Sequence, residues 1–305
     1  MSVLVTGGNG FLGTALTDRL LAQGHKVYCV SRHAPELREG LVPLRGDILV
    51  PDFGLREILA EANITAVYHL AAAHRLGEDK DGSIWDTNVA GTRNVIKFCI
   101  DRAIPHLYHC STAYTAGRNT YELSKAECEK IVNESGIPTV TIFKPSIIMG
   151  TEHFFPGHFA QFISLLVRVH KRAEIVRRKI EGSLRLPVIE PVFRIRGNPE
   201  GRLNLVTVDE VAGAMARVKD PGQFWLTHPS PPALRDIVTW TGEYIMVDLR
   251  IEPEFKPTPL EAAFQKLGAA FLPYLWGDNF KSNLQLSPPI DKAFIQETVK
   301  RIVLD

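Results

Sequence analysis

"VTGGNGFLG", Val5 to Gly13, holds four glycines in nine residues and stands between two apolar runs of different period. The run that leads into it, "VLVT" (3–6), reads as a strand. The run that leaves it, "FLGTALTDRLLAQG", repeats Leu12, Leu16, Leu20 and Leu21 at the spacing of one buried helical stripe. A Gly7-x-x-Gly10-x-x-Gly13 spacing is weak alone, but between a strand and a helix it has a physical job. Gly7 permits the tight turn, Gly10 lets a pyrophosphate approach the backbone, and Gly13 lets helix pack on strand. The start of the helix adds unpaired N–H groups and the positive end of its dipole.

Outward from that loop the alternation continues. Strand-like runs are "KVYCVS" (26–31), "LVPLR" (41–45), "AVYHLA" (66–71), "HLYHCS" (106–111) and "TVTIFK" (139–144). Between them, "PDFGLREILAEAN", "IWDTNVAGTRNVIKFCIDRA" and "TYELSKAECEKIVNESG" read as helices, and Gly24 and Gly136 stand where helices end. Continuous apolar strands separated by helices imply an α/β fold, a doubly wound parallel sheet with helices on both faces. The alternation fades after Gly150. Residues 1–150 are expected to form a dinucleotide-binding domain and 151–305 a smaller, partly helical substrate lobe. Within the latter, "RLNLVTVDEVAGAM" is a strand entering a helix, with 203–215 packing back on the first domain. "PPALRDIVTWTG" and "PLEAAFQKLGAAFLPYLW" read as further helices.

Composition excludes several classes. Lys plus Arg is 35 and Asp plus Glu is 34, so no overall charge draws the chain to nucleic acid or an anionic membrane. Hydrophobic residues make up 45% and charged ones 23%, the balance of an ordinary globular protein. No apolar run approaches a transmembrane span. Cys29, Cys99, Cys110 and Cys128 lie far apart without a CxxC pair, so neither a metal site nor a disulfide framework is expected. The first strand begins at Ser2, which leaves no room for a leader. The expectation is a cytoplasmic protein with reduced thiols.

The second strand ends in Ser31-Arg32-His33, with no acid before Glu36. An acid there accepts the ribose hydroxyls of NAD, whereas an arginine accommodates a 2′-phosphate, so Arg32 marks NADP(H). By this point the residues resemble the extended short-chain dehydrogenase/reductase family, which is NAD-dependent epimerase/dehydratase-like and of Rossmann type. The resemblance covers the first 150 residues and continues through "LVTVDEVAGA". Within the family, "VYCVSR", "LVPLRGDILVPDFGL", "CSTAY" and "FRIRGNPEGRLNLVTVDEVA" are similar to the thioester-reductase and fatty acyl-CoA reductase branch, as more loosely is "YLWGDNFKSNLQL".

The resemblance implies a catalytic hydroxyl at Thr112 and a catalytic Tyr121 and Lys125 in "YELSK". It implies cofactor contacts at Gly7, Gly10, Phe11, Leu12, Gly13 and Arg32, at Asp47 and Ile48 in "GDI", and at Leu70, Ala71 and Ala72 in "HLAAA". Lys125 belongs to the cofactor set as well, and "KPSIIMG" adds Pro145 and Ile148 at the nicotinamide. Asn88 matches a family asparagine on a helix. In one departure, only Arg118, Asn119 and Thr120 separate Gly117 from Tyr121, a shorter loop than extended relatives carry.

The residues carry their own argument. Tyr121 and Lys125, four apart on a helix, share a face. A free tyrosine has a pKa of about 10, and lowering it by roughly two units takes about 3 kcal/mol of preference for the phenolate. An ammonium one turn away and a cationic nicotinamide supply that preference. Thr112 would then hold a substrate carbonyl while Tyr121 donates a proton to the developing alkoxide. A Tyr and Lys at this spacing also occur as a solvated helix face. His69, His106 and His109 read as strand or core residues, and His74 and Arg75 stand at the cofactor edge. The basic stretch 168–202 is either a solvated face or a dock for coenzyme A phosphates or an acidic carrier protein.

Three functions remain open. The first is NADP(H)-dependent reduction of a thioester, aldehyde or ketone, on a small-molecule substrate that is hydrophobic or carrier-linked. The second is nucleotide-sugar epimerisation or dehydration, against which "FKPSIIMGTEHFFPG" speaks. The third is non-catalytic NADP binding. A homodimer is compatible with each.

Overall fold

The computed structural model describes residues 1–151, 157–169, 171, 192–286 and 288–304. They divide into two compact units: Met1–Ser146 with Val206–Thr227 and Lys281–Ser287, and Ile147–Leu205 with His228–Phe280 and Pro288–Asp305.

The first unit is built on a seven-stranded sheet. Its strands are β1 (Ser2–Thr6), β2 (Lys26–Ser31), β3 (Leu41–Arg45), β4 (Ile64–His69), β5 (His106–Cys110), β6 (Thr139–Pro145) and an edge strand, Gly222–Leu226. The order runs from that edge strand through β6, β5, β4, β1 and β2 to β3, and every pair is parallel. Parallel strands are covered on both faces, which is why Leu4, Val5, Val27, Val67, Leu107, Ile142 and Phe143 are all buried along continuous apolar runs. The order reverses between β1 and β4, the kind of switch point beyond whose carboxyl strand ends open α/β sheets bind their ligands. The glycine loop leaves β1 at that point.

Helix α1 (Phe11–Ala22) follows the loop and buries Gly13, Leu16, Thr17 and Leu20; of the expected stripe, Leu16 and Leu20 are buried and Leu12 and Leu21 are half-buried. Helix α2 (Gly91–Asp101) is led in by a helical turn at Ser83–Trp85 and a π turn at Asp86–Ala90. Helix α3 (Thr120–Asn133) follows β5. Gly24 and Gly136 adopt φ of 76° and 75°, the left-handed geometry that ends helices.

One expected helix is absent. "PDFGLREILAEAN" forms a short 3-10 turn, Pro51–Gly54, followed by turns. Three successive residues, Asp52, Phe53 and Gly54, have φ of 49°, 60° and 72°, which no right-handed helix passes through. This turn buries Phe53 against Phe98, with ring centroids 4.8 Å apart, so its apolar residues serve the core without helical periodicity. The edge strand Gly222–Leu226 has no counterpart in the sequence reading. Its run opens on the exposed Gly222 and Gln223 and buries only Leu226, so it lacks a continuous apolar signal, and pairing with β6 makes it a strand.

The second unit contains a helix at 158–169, a parallel pair of strands (Phe193–Arg196 and Leu249–Glu252), and helices Leu234–Ile245, Pro259–Leu267 and Lys292–Leu304. Its core includes Phe159, Phe162, Leu166, Phe193 and Phe264, with Phe162 and Phe193 edge-on to Phe264 at 5.5 and 5.4 Å. Among the described residues, no helix is long and apolar enough to cross a membrane. All four cysteines are unpaired.

Candidate functional site

The glycine loop has the close contacts its spacing implies. Gly7 adopts φ of 72°, and a Cβ there would stand 2.7 Å from the Ala71 amide nitrogen, so β1 and the end of β4 approach only because Gly7 has no side chain. Its N–H bonds the Val30 carbonyl at 2.9 Å, and the Gly10 N–H bonds the Gly7 carbonyl at 3.0 Å. A Cβ on Gly13 would overlap that same carbonyl oxygen and lie 2.7 Å from Gly8 Cα. Gly10 begins α1 with no side-chain cap. The turn after β2 is latched to the loop by Asn9, whose Nδ2 donates to the His33 carbonyl at 3.0 Å. Arg32, exposed, lies in that turn. Asp47 caps its own turn by accepting the Leu49 N–H at 2.9 Å. Ile48 sits where Gly91 has no Cβ, 2.5 Å from where one would be. Leu70 and Ala71 bond Thr6 through their N–H groups at 3.1 and 3.4 Å, and Ala72 follows them. The glycines let the turn pack backbone to backbone against β4 and α1, and the residues present fit the form of turn that cradles a dinucleotide pyrophosphate.

The sequence-expected trio lies on two neighbouring elements. Thr112 stands two residues past β5; its hydroxyl accepts the Tyr114 N–H at 3.2 Å and reaches the Pro145 carbonyl at 3.5 Å. Tyr121 is in the first turn of α3, and Lys125 is one turn further on. The short Gly117–Tyr121 loop is closed by its own bonds. Asn119 Oδ1 accepts the Glu122 N–H at 3.0 Å, and the buried Glu122 carboxylate takes the Arg118 N–H and Nε at 3.0 and 2.9 Å. The signal for this lies in the sequence as an Asn N-cap with Glu three residues on. Ile148 belongs to strand Ile147–Met149 of the second unit.

Lys125 is 3% exposed. Among the described residues its ammonium makes one hydrogen bond, to the Cys110 carbonyl at 2.6 Å, and no salt bridge. Two of its three donors are unspent. Its neighbours are uncharged. Burial, with the Lys125 charge adding, pushes His69 down to about 3 and His109 well below its ordinary value. Burial also raises the Cys110 and Cys128 thiols, outweighing the opposite pull of Lys125. His69 accepts from Thr6 Oγ1 at Nδ1 (2.7 Å) and donates from Nε2 to Thr92 Oγ1 (3.0 Å); the second role follows because the Thr92 hydroxyl proton goes to the Asn88 carbonyl at 2.6 Å. His106 is bonded to Thr141 at 2.8 Å. The strand histidines are thus neutral core groups.

Asn88, in the π turn, accepts the Ala73 N–H at 2.7 Å and donates to the Ala73 carbonyl (3.0 Å) and Ser124 Oγ (2.8 Å). It ties the segment after β4 to α3. The Arg75 guanidinium stands 3.3 Å from Asp81 and 3.8 Å from Asp79, within its own loop; His74 is exposed. Of the basic stretch, Arg194 pairs with the buried Glu261 at 3.0 Å and Arg202 donates to the Pro231 carbonyl at 2.7 Å. Arg168, Lys171 and Arg196 are also described. Arg172, Arg177, Arg178, Lys179 and Arg185, with Phe154 and Phe155, lie outside the described residues.

The comparisons with known proteins agree with this geometry. The chain is 36% identical over 208 residues to a 2-alkyl-3-oxoalkanoate reductase of Stenotrophomonas maltophilia (strain K279a), covering 60% of this chain and 59% of the relative. It is 32% identical over 197 residues to a UDP-glucose 4-epimerase of Vibrio cholerae, covering 56% and 57%. The chain thus spans less than two thirds of the length of these curated relatives. Among solved structures, a UDP-glucose 4-epimerase of Thermotoga maritima with UDP-glucose superposes with TM-score 0.69 at 17% identity, over 100% of both chains. The terminal R domain of the myxalamid PKS-NRPS pathway gives 0.68 at 21%, over 99% of this chain and 90% of that one. The strand order, the glycine cradle at its reversal and a family model matched over residues 3–218 together assign the chain: it belongs to the NAD dependent epimerase/dehydratase family.

Proposed function

We propose that the chain is an NADP(H)-dependent oxidoreductase that reduces a carbonyl, with Tyr121 as general acid, Thr112 holding the carbonyl oxygen and Lys125 acting on both tyrosine and cofactor ribose. The observation that carries the reading is Lys125, a buried ammonium with two unspent donors, one helical turn past a tyrosine and surrounded by neutral histidines. A bound nicotinamide dinucleotide supplies the hydride. The protein's part is positional and electrostatic. The capped start of α3 sets its positive dipole end at Tyr121, and Lys125 adds a full charge, both favouring the phenolate. The Stenotrophomonas relative, by its name a reductase of an oxoalkanoate, supports a carbonyl substrate with an alkyl chain. A carrier- or coenzyme A-linked form of it is part of the proposal, supported by the resemblance of "CSTAY" and "FRIRGNPEGRLNLVTVDEVA" to the thioester-reductase branch, with the second unit (151–305 in outline) as the proposed substrate lobe.

The test is NADPH oxidation by the purified protein against acyl-thioesters, aldehydes, ketones and nucleotide sugars. Consumption with a carbonyl compound, greater for longer alkyl chains and for a thioester-linked form than its free counterpart, is the expected result. The second reading, nucleotide-sugar epimerisation, is supported by the Vibrio relative; it predicts turnover of a nucleotide sugar with no net NADPH consumption. Binding without turnover across the panel would instead favour a non-catalytic NADP-binding protein.

Cofactor choice has its own test. Arg32 lies in the turn that Asn9 latches beside the glycine loop, the position from which a guanidinium reaches a 2′-phosphate. Arg32→Ala is expected to weaken NADPH by about 10–100-fold, the worth of a hydrogen bond to a charged group, and to leave NADH nearly unchanged. Fluorescence titration of both cofactors measures it. Equal or tighter NADH binding by the wild type would rule the preference out.

A further inference from the structure

Two buried lysines and one carboxylate lie on the neighbouring elements α3 and β6. Lys125 lies on α3 with a single carbonyl partner. Glu129 lies one turn further along the same helix, at the i, i+4 spacing where Lys and Glu ordinarily pair. They do not pair here. Glu129 turns instead to Lys144 of β6, whose ammonium meets both carboxylate oxygens at 2.7 and 2.6 Å. The Lys144 side chain is 5% exposed and that of Glu129 13%. The same carboxylate accepts the hydroxyl of Ser111, the residue before Thr112, at 2.5 Å. Lys144 also lies 4.7 Å from the Trp225 ring centroid, a cation–π contact.

We infer that Lys144 is a positioning residue that sequesters Glu129 and so keeps the Lys125 ammonium available to Tyr121 and the cofactor ribose. The inference rests on the function proposed above. Its physical basis is competition. A partly buried carboxylate takes a cation within reach, and the sequence offers it two. Were Lys125 chosen, its positive charge would be neutralised and its donors spent, and the phenolate of Tyr121 would lose its main support. The other titratable groups around Lys125, namely His69 of β4, His109 and Cys110 of β5 and Cys128 of α3, are neutral and supply no alternative counter-ion.

Lys144→Met, Glu129→Gln and the double variant test this. Two readouts need no turnover: ultraviolet titration of Tyr121 in cofactor-free protein, taken as the difference from each variant's Tyr121→Phe counterpart, and the NADPH dissociation constant. Lys144→Met is expected to raise the Tyr121 midpoint by about one pH unit and weaken NADPH by about tenfold, as Glu129 turns to Lys125. Glu129→Gln alone is expected to leave both near wild type. The double variant is expected to recover both, because the competing carboxylate is gone. Thermal melting is read alongside, since an ion pair that only stabilises the fold would lower melting without moving either readout. A wild-type midpoint and affinity in Lys144→Met, or a double variant no better than Lys144→Met, would overturn the inference. A wild type that titrates Tyr121 as an ordinary tyrosine and turns over no carbonyl would sink the proposed function, while the NADPH arm still reports on the two lysines.

Discussion

Tyr121→Phe is expected to bind NADPH as the wild type does and to lose carbonyl turnover by about 10²–10⁴-fold, the range for removal of a general acid. The substitution takes away one hydroxyl and keeps the ring. The loop before it is closed by the Asn119–Glu122 and Arg118–Glu122 bonds, which stay in place in the variant, so the helix start should survive. On the proposed function, what is lost is the proton that would pass to the developing alkoxide. Steady-state NADPH oxidation with the best carbonyl substrate, beside a fluorescence titration of cofactor, separates the effects. Wild-type turnover would move the proton donor elsewhere. A parallel collapse of cofactor affinity would give Tyr121 a structural role.

The sequence made the cofactor side of this site legible because its chemistry is local. A strand, a glycine-spaced turn and an amphipathic helix occur within twenty-odd consecutive residues, and each contact they imply is made between near neighbours or adjacent strands. The Tyr–Lys face was legible for the same reason, being one helical turn. The partners of that face were not. Glu129 continues the Tyr121–Lys125 stripe at the same spacing, and the pattern alone would pair it with Lys125. Its true partner, Lys144, lies fifteen residues on in the next strand, and only the β5–β6 pairing brings Ser111 and Lys144 to it. The segment 51–63 failed in the opposite way. Its composition is helical, but burial of Phe53 and three left-handed residues outweigh propensity there. The edge strand Gly222–Leu226 exists by its pairing with β6; with only Leu226 buried, its own residues carry little apolar signal.

Gly13→Ala is expected to weaken NADPH and NADH alike by about 10²-fold or more, although it adds one methyl group far from the catalytic trio. The methyl would overlap the Gly7 carbonyl oxygen and lie 2.7 Å from Gly8 Cα, and these are backbone atoms with no rotamer to yield. Relief requires the turn and α1 to separate by a distance on the order of 1 Å, and a misplacement of that size costs about 10²-fold where geometry sets the interaction. The turn cannot move freely, since Gly7 is itself held by its N–H bond to Val30 and by its close approach to Ala71. The fold is expected to lose about 1–3 kcal/mol, the usual cost of overpacking, so the protein should remain folded and measurable. Gly213→Ala is the control. A Cβ there meets only the Arg217 guanidinium at 3.1 Å, the end of a flexible side chain, within helix Val208–Arg217. That variant should melt no lower than wild type, because alanine favours a helix interior, and should bind both cofactors unchanged. If Gly13→Ala bound as tightly as Gly213→Ala, the glycine loop would not be what holds the dinucleotide, and the cradle would have to be sought elsewhere on the first unit.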